Sequence, residues 1–522
     1  MKSLIHLNKK KIIYFFILFF FSILINQYYG SIGVFPLDSF LFFDSGYRAL
    51  NGFFAFKDYW APTGPLLDII QAFLFKIFGV SWFSYVLHAS IFNFLITIAT
   101  FYTLNKFKLN ISLCLFYSLL VSIIAYPVSG TPFIDHHSSI FSLLSLFSFI
   151  LAIKTREKFY WFLTPIFLVL AFLSKQTPAG YIALIIITLS IIYFIFYFDL
   201  SRILSMLLGL FFILIMFLIF LKVNEINFLS FYEQYILFPL NIGEGRVENF
   251  LFPLEFNRII LRYKLIYISQ LTFIIIIIKQ LIKNYKYLLS TDFFIQISII
   301  LTSFSFIFHQ ILTFNQKFIF FIIPIFLGFS HIYYVKYFHE RKYVVYLIIL
   351  LSLASTIYYK HSYVDNRKFM ELENVNLENF VDASIIDKKL NNLKWINYSY
   401  PDDPMKEINY LKDAINFIKN DDKNKMIITE YQFISSLMQD YIHVPSRTYN
   451  SGADHPIVNS KYFDNYKNFF IDKIIKNNIE VIYIIKPLNH SVYDSIIEDR
   501  CIKKSKINEI LYSHLILKCE FQ

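Results

Sequence analysis

Long apolar runs alternate with short polar interruptions along the first 360 residues. About 20 consecutive apolar residues cross the hydrocarbon core as one helix. On that measure spans are expected near 12–28, 82–104, 110–127, 138–154, 160–174, 178–197, 204–221, 263–282, 292–313, 318–335 and 343–359, about 11 in all. The stretch 65–78 is too short and too polar to span, and reads as a helix lying in the membrane interface. Past residue 360 the pattern changes. Helical periodicity near 404–420, a β-branched run at 426–429, a second helical stretch near 459–477 and the apolar run 481–485 follow one another. Helices alternating with short apolar strands predict a small α/β domain. The expected fold class is therefore an α-helical polytopic membrane protein. Its membrane domain takes residues 1–360 with a first outer loop at 30–81, and its C-terminal α/β domain takes 361–522.

Composition agrees with that division. Of 522 residues, 57% are hydrophobic and only 16% are charged, where soluble domains carry about a quarter. The net charge of +11 would suit nucleic acid, but the basic residues sit at span ends and in the tail. Positive flanks of membrane helices explain them, and no nucleic-acid partner is expected. Lys2, Lys9, Lys10 and Lys11 precede the first apolar run, and no A-x-A-like cleavage site follows it. The first span is read as uncleaved, with its N-terminus in the cytoplasm. Alternate loops then carry Lys106 and Lys108; Lys154, Arg156 and Lys158; Arg202; Lys279, Lys283 and Lys286; Lys336, Arg341 and Lys342. The loop 127–137 carries none, whereas 222–262 breaks the rule with Lys222, Arg246, Arg258 and Arg262. An odd number of spans places the tail outside the cytoplasmic membrane. Among three cysteines, Cys114 lies in a span and reads as core packing, and Cys501 and Cys519 flank a short terminal segment, their pairing left open.

The chemistry concentrates in residues 35–79, the longest interruption in the first half of the chain. Asp38, Asp44 and Asp58 stand there among aromatics. A carboxylate held at a membrane surface needs a reason, and acid/base work is one. Asp44-x-Gly46-Tyr47-x-x-Leu50-x-Gly52, then Asp58-Tyr59-Trp60, Gly64-Pro65 and Phe78-Gly79, resemble the first external loop of GT-C glycosyltransferases. These are polytopic enzymes that use polyprenyl-phosphate sugars, such as protein mannosyltransferases and aminoarabinose transferases. The resemblance extends through the membrane layout over roughly the first 360 residues. It implies a GT-C-like fold and an inverting glycosyltransferase. Such an enzyme takes a sugar from a polyprenyl-phosphate donor and places it on a cell-envelope glycan, lipid or protein. Its base would be an acidic residue of the first outer loop, by position Asp44, and no cofactor is implied.

With the tail outside, scattered polar residues are expected on one face. Lys175, Arg246 and Lys317 are the candidates for the donor phosphate, since cations stabilise a leaving phosphate. Asp38, Asp58, Tyr59, Asp135, His136, His137, Gln176, His309 and Gln316 are the candidates for contact with donor or acceptor. Each has a plainer reading. Asp44 would serve as a helix cap, Asp58 would orient its loop, Lys175 would snorkel, His309 would be a bundle histidine, and Lys317 an ordinary flank. Asp135-His136-His137 invites a divalent metal, but adjacent histidines with no third ligand in register are a weak signal, and a metal is not favoured. Residues 445–449 read either as a sugar contact or as an ordinary turn, and the turn is favoured. Two other classes stay open. An O-antigen polymerase or ligase would depend on outer-loop arginines, and a lipid-linked sugar transporter or flippase would carry mid-membrane charges and repeated halves.

Overall fold

A computed structural model describes residues 2–248, 255–313, 318–338, 341–438, 441–486, 488 and 493–517. Internal contacts divide the chain into two compact units: Met1–Gly30, Ala89–Leu218 and Phe250–Phe369 form one, and Ser31–His88, Ile219–Asn249 and Met370–Gln522 the other. The segment expected as the first outer loop is thus grouped with the tail, whereas the pattern of spans attaches it to the membrane part.

The first unit is helical. Among the described residues of the chain nine helices are long and apolar enough to cross a membrane, and two further apolar helices, Lys158–Ser174 and Ile322–Phe338, have 17 residues each. The eleven expected runs all appear as helices, and the protein is a helical polytopic membrane protein. Ile134–Thr155 is the most enclosed of the long helices, with 89% of its apolar window buried. Its sequence shows why: Ser138, Ser139, Ser142, Ser145 and Ser148 are small enough to let neighbouring backbones approach, and Ser145 donates to the Thr164 carbonyl at 2.8 Å. Arg156, left-handed at φ 62°, ends this helix, and Lys158 begins the helix packed against it. Leu200–Val223 is apolar all round and only 6% buried, as expected of a lipid-facing helix. Lipid offers no hydrophobic drive between helices, so buried amides act as glue. Asn93 donates to the carbonyls of Ser22 and Ser122, both at 3.0 Å, and Asn26 donates to Ser90 Oγ at 3.0 Å and to the Gly130 carbonyl at 3.2 Å. Gly130 itself has φ +76°, and a Cβ there would stand 2.5 Å from Gly30 Cα.

The second unit contains a four-stranded sheet in the order Lys425–Ile428, Val481–Ile485, Leu511–Ile516, Ile502–Lys506. The first pair is parallel, with the helix Phe463–Lys476 in the connection between them, and the other two pairs are antiparallel. The helix Pro404–Lys419 starts where the sequence sets it: Asp403 accepts from Lys406 N at 3.1 Å, with proline in the first turn. Both helices and the first two strands match the sequence reading. The Ile502–Lys506 strand was not expected, because its Lys-rich run has no apolar alternation and four of its five residues are exposed. Met426, Ile428, Ile482 and Ile484 pack with Phe470 and Ile474, and Trp60 and Phe238 join the same core. Trp60 comes from the first outer loop and Phe238 from 219–249, which explains why those segments group with the tail. Cys501 is disulfide-bonded and Cys114 is free and buried; Cys519 lies outside the described residues.

Candidate functional site

In the second unit the helix Leu41–Leu50 carries Asp44 in its first turn and Arg48 in its last. Residues four apart face each other on a helix, and Arg48 Nε meets Asp44 Oδ2 at 2.5 Å. Arg48 also donates to the Tyr441 hydroxyl at 2.7 Å, the Ile442 carbonyl at 2.6 Å and Ser435 Oγ at 2.7 Å. Burial opposes the Arg48 charge, but the adjacent Asp44 carboxylate outweighs it and holds the guanidinium above its ordinary range. Burial pushes the Tyr441 hydroxyl up to about 12, so it stays neutral beside Arg48. Asp44 is 6% exposed, and its second oxygen, Oδ1, is buried with no hydrogen-bond partner among the described residues. The motif glycine has a packing reason: a Cβ on Gly46 would lie 2.4 Å from Gln71 Cγ, on the neighbouring helix Leu66–Phe78.

A second buried ion pair adjoins the first. Asp68 accepts from Ser45 Oγ at 2.7 Å and from the Tyr59 hydroxyl at 3.3 Å, and it pairs with Arg447. Arg447 also donates to the carbonyls of Thr63 and Gly64, both at 3.1 Å, and to Thr63 Oγ1 at 2.5 Å. Its backbone N–H donates to the Trp60 carbonyl at 2.8 Å, and Trp60 N–H to that of Pro445 at 3.0 Å. Segment 445–449, expected to be an ordinary turn, instead bridges to the first outer loop.

In the first unit Asp135, at the start of Ile134–Thr155, accepts from Lys175 Nζ at 2.7 and 2.8 Å and from His309 Nε2 at 2.6 Å. Lys175 occupies the extended break, φ −156°, between Lys158–Ser174 and Gln176–Phe196. His309 lies in the last turn of Thr291–Leu312, and the adjacent Gln310 is 1% exposed with neither amide atom hydrogen-bonded to a described residue. Asp135, Lys175 and His309 therefore form one network.

No family model matches the chain, and no curated protein matches it in sequence. The remaining candidates are held variously. His136 donates to the Ala125 carbonyl at 3.1 Å and stacks on Tyr126, while its Nδ1 has no partner among the described residues; His137 meets the Tyr126 hydroxyl and the Phe133 carbonyl. Asp58 accepts from the Phe54 N–H at 2.8 Å, which closes its own loop, and Tyr59 is buried against Asp68. Asp38, in the short helix Pro36–Ser39, and Gln176 are half-buried. Arg246, on the helix Phe238–Glu248, is half-buried and makes no ion pair with any described residue. Lys317 and Gln316 lie outside the described residues. Among the described residues no group of three His, Cys, Asp or Glu is placed to hold a metal ion.

Sequence reasoning passed over Arg48 and Asp68, placed Arg447 in a turn, and counted Gln310 only among the polar residues expected on one face. Arg48 had a local signal, its four-residue spacing from Asp44. Arg447 and Asp68 had none, being 379 residues apart.

Proposed function

We propose that the protein is an inverting membrane glycosyltransferase of the GT-C kind, moving a sugar from a polyprenyl-phosphate donor to a cell-envelope glycan, lipid or protein. One observation carries the reading: Asp44 is a buried carboxylate with one oxygen fixed by Arg48 and the other unpartnered among the described residues. A general base needs that geometry, an immobilised carboxylate with a free lone pair for the acceptor hydroxyl proton. Attack of that hydroxyl on the anomeric carbon breaks the bond to the donor phosphate and inverts the centre. The departing phosphate needs a cation, and Arg246 is a guanidinium without an ion-pair partner among the described residues. In this reading all eleven apolar helices span, the N-terminus is cytoplasmic, and residues 361–522 lie outside.

The test is transfer of labelled sugar from polyprenyl-phosphate donors in membranes. Asp44→Asn is expected to lower transfer by about 10²–10⁴-fold. Because this change leaves Arg48 buried without its counter-charge, Asp44→Asn with Arg48→Gln serves as the folding control: protein levels return and transfer does not. Transfer retained by Asp44→Asn removes the base assignment. The Asp135–Lys175–His309 network favours a second reading, a lipid-linked sugar transporter. That reading requires Asp44→Asn to be tolerated while Asp135→Asn abolishes sugar movement. Tolerance of Asp44→Asn with loss of activity in Arg246→Ala points instead to a polymerase or ligase.

A further inference from the structure

A cavity of about 420 Å³ opens within the first unit, far along the helices from Asp135. Asp135 begins Ile134–Thr155 and Lys154 ends it; His309 ends Thr291–Leu312 and Asp292 begins it. The cavity is lined by Lys108, Lys154, Lys336, Asp292, His331 and Tyr333, among others. Its volume falls within the range of small-ligand sites, about 300–1,000 Å³.

The walls are built rather than incidental. Lys108 sits in the left-handed conformation, φ 67°, just past the helix Trp82–Lys106, and its N–H donates to the Asn105 carbonyl at 2.9 Å. The next helix begins at once, capped by Asn110, whose side chain accepts from Ser112 N at 2.9 Å. A left-handed closure followed directly by a capped helix leaves the Lys108 loop little freedom. Asp292 is 8% exposed and gathers Lys336, Tyr337 and the Tyr333 hydroxyl, the last at 3.5 Å. His331 is buried and bonded to the Tyr117 hydroxyl at 3.1 Å. Lys108, Lys154 and Lys336 themselves are exposed. Three ammonium groups against the single Asp292 carboxylate leave the cavity with a formal charge of 3 − 1 = +2.

Span-flanking lysines are ordinary where they are scattered over a surface. Here three of them, from three different helix ends, share one concave site with a single buried acid and the Tyr333 hydroxyl. The geometry points to a binding site for a phosphate anion, the phosphate of a lipid headgroup or a soluble phosphate of the same chemistry. Lysine binds phosphate as a point charge, and basic pockets between membrane helices take anionic headgroups. This site is independent of the sugar-transfer reading, since none of its residues belongs to the proposed catalytic machinery.

The test uses the full chain in phosphatidylcholine nanodiscs. Phosphatidic acid is titrated into one set and counted by native mass spectrometry; inorganic phosphate is titrated into another and followed by ³¹P NMR. Saturable binding of one equivalent of either probe is expected, weakened at least tenfold in K108Q/K154Q/K336Q. K283Q/K286Q/K342Q, which removes the same charge from exposed flanks outside the cavity, is expected to bind as the wild type does. Binding of the lipid alone assigns a headgroup, and binding of free phosphate assigns a soluble ligand. No binding of either probe by the wild type, or equal loss in both triple variants, overturns the site. Asp292→Asn supplies an arm of opposite sign, because removing the carboxylate is expected to tighten binding.

Discussion

Replacing Arg447 by methionine tests the organisation of the second unit most directly. Arg447 and Asp68 are 1% and 2% exposed at their side chains, so neither charge has water to fall back on. Burial opposes the Arg447 charge most strongly, and the Asp68 carboxylate together with Tyr59 and Tyr235 overcomes it, holding the guanidinium above its ordinary range. Methionine keeps most of the stem volume and removes the charge and its donors. Asp68 would then retain Ser45 and Tyr59 only, and the Thr63 and Gly64 carbonyls would lose their donor. Removing one partner of a buried ion pair costs about 3–5 kcal/mol, which multiplies an opening equilibrium by roughly 10²–10³·⁶. Amide hydrogen exchange on the full chain reads that equilibrium locally. The N–H groups of Trp60 and Arg447 (the latter replaced by that of the new Met) are the reporters, since they hydrogen-bond across the bridge that the guanidinium secures. Their protection is expected to fall by that factor, while amides in Ile134–Thr155 of the first unit stay unchanged. Asp68→Leu combined with Arg447→Met removes both charges and is expected to recover most of the loss, because a matched apolar pair in the same space is often neutral or better. A change below about 0.5 kcal/mol in the single variant, the size of an exposed pair, would refute the claim that this pair is desolvated.

Two further outcomes are open to measurement. Burial, and then the nearby Asp454 carboxylate, push the Glu430 carboxyl from 4.5 up to about 7. The folded state therefore binds this proton more tightly than the unfolded chain, so the stabilisation is fully present below pH 4.5 and is lost as pH rises through 7. At 1.36 kcal/mol per unit the ceiling is about 3 kcal/mol, and partial contact with water reduces it to roughly 1–2 kcal/mol. Glu430→Gln is expected to gain Tm over wild type steadily between pH 5 and 7 and to level off above that, and parallel pH profiles would contradict this. Gly130→Ala places a Cβ 2.5 Å from Gly30 Cα at a residue with φ +76°; a loss of about 1–3 kcal/mol is expected in thermal unfolding of the detergent-solubilised chain, and an unchanged midpoint would show that the backbones can separate freely.

The sequence by itself determined the membrane class, the approximate position of eleven apolar helices, the helix Leu66–Phe78, and the helices and first two strands of the tail. These are local properties. Apolar run length, a period of 3.6 or 2, and a cap such as Asp403 before Pro404 are all written in neighbouring residues. The sequence also singled out Asp44, and the spacing to Arg48 was there to be read. Tertiary structure decided the rest. That Asp135, Lys175 and His309 form one network follows from three helices packing together, and no spacing along the chain reports it. That Arg447 is a buried structural arginine rather than a turn residue depends on Asp68, which lies 379 positions earlier. That Trp60 and Phe238 share a core with the tail's sheet explains why the first outer loop groups with residues 370–522, contrary to the order of the chain. The strand Ile502–Lys506 makes the same point: its lysines carry no pattern, and its pairing with Leu511–Ile516 is what makes it a strand. Such features are contacts between distant residues, and an ion pair or a sheet edge has no local period to announce it.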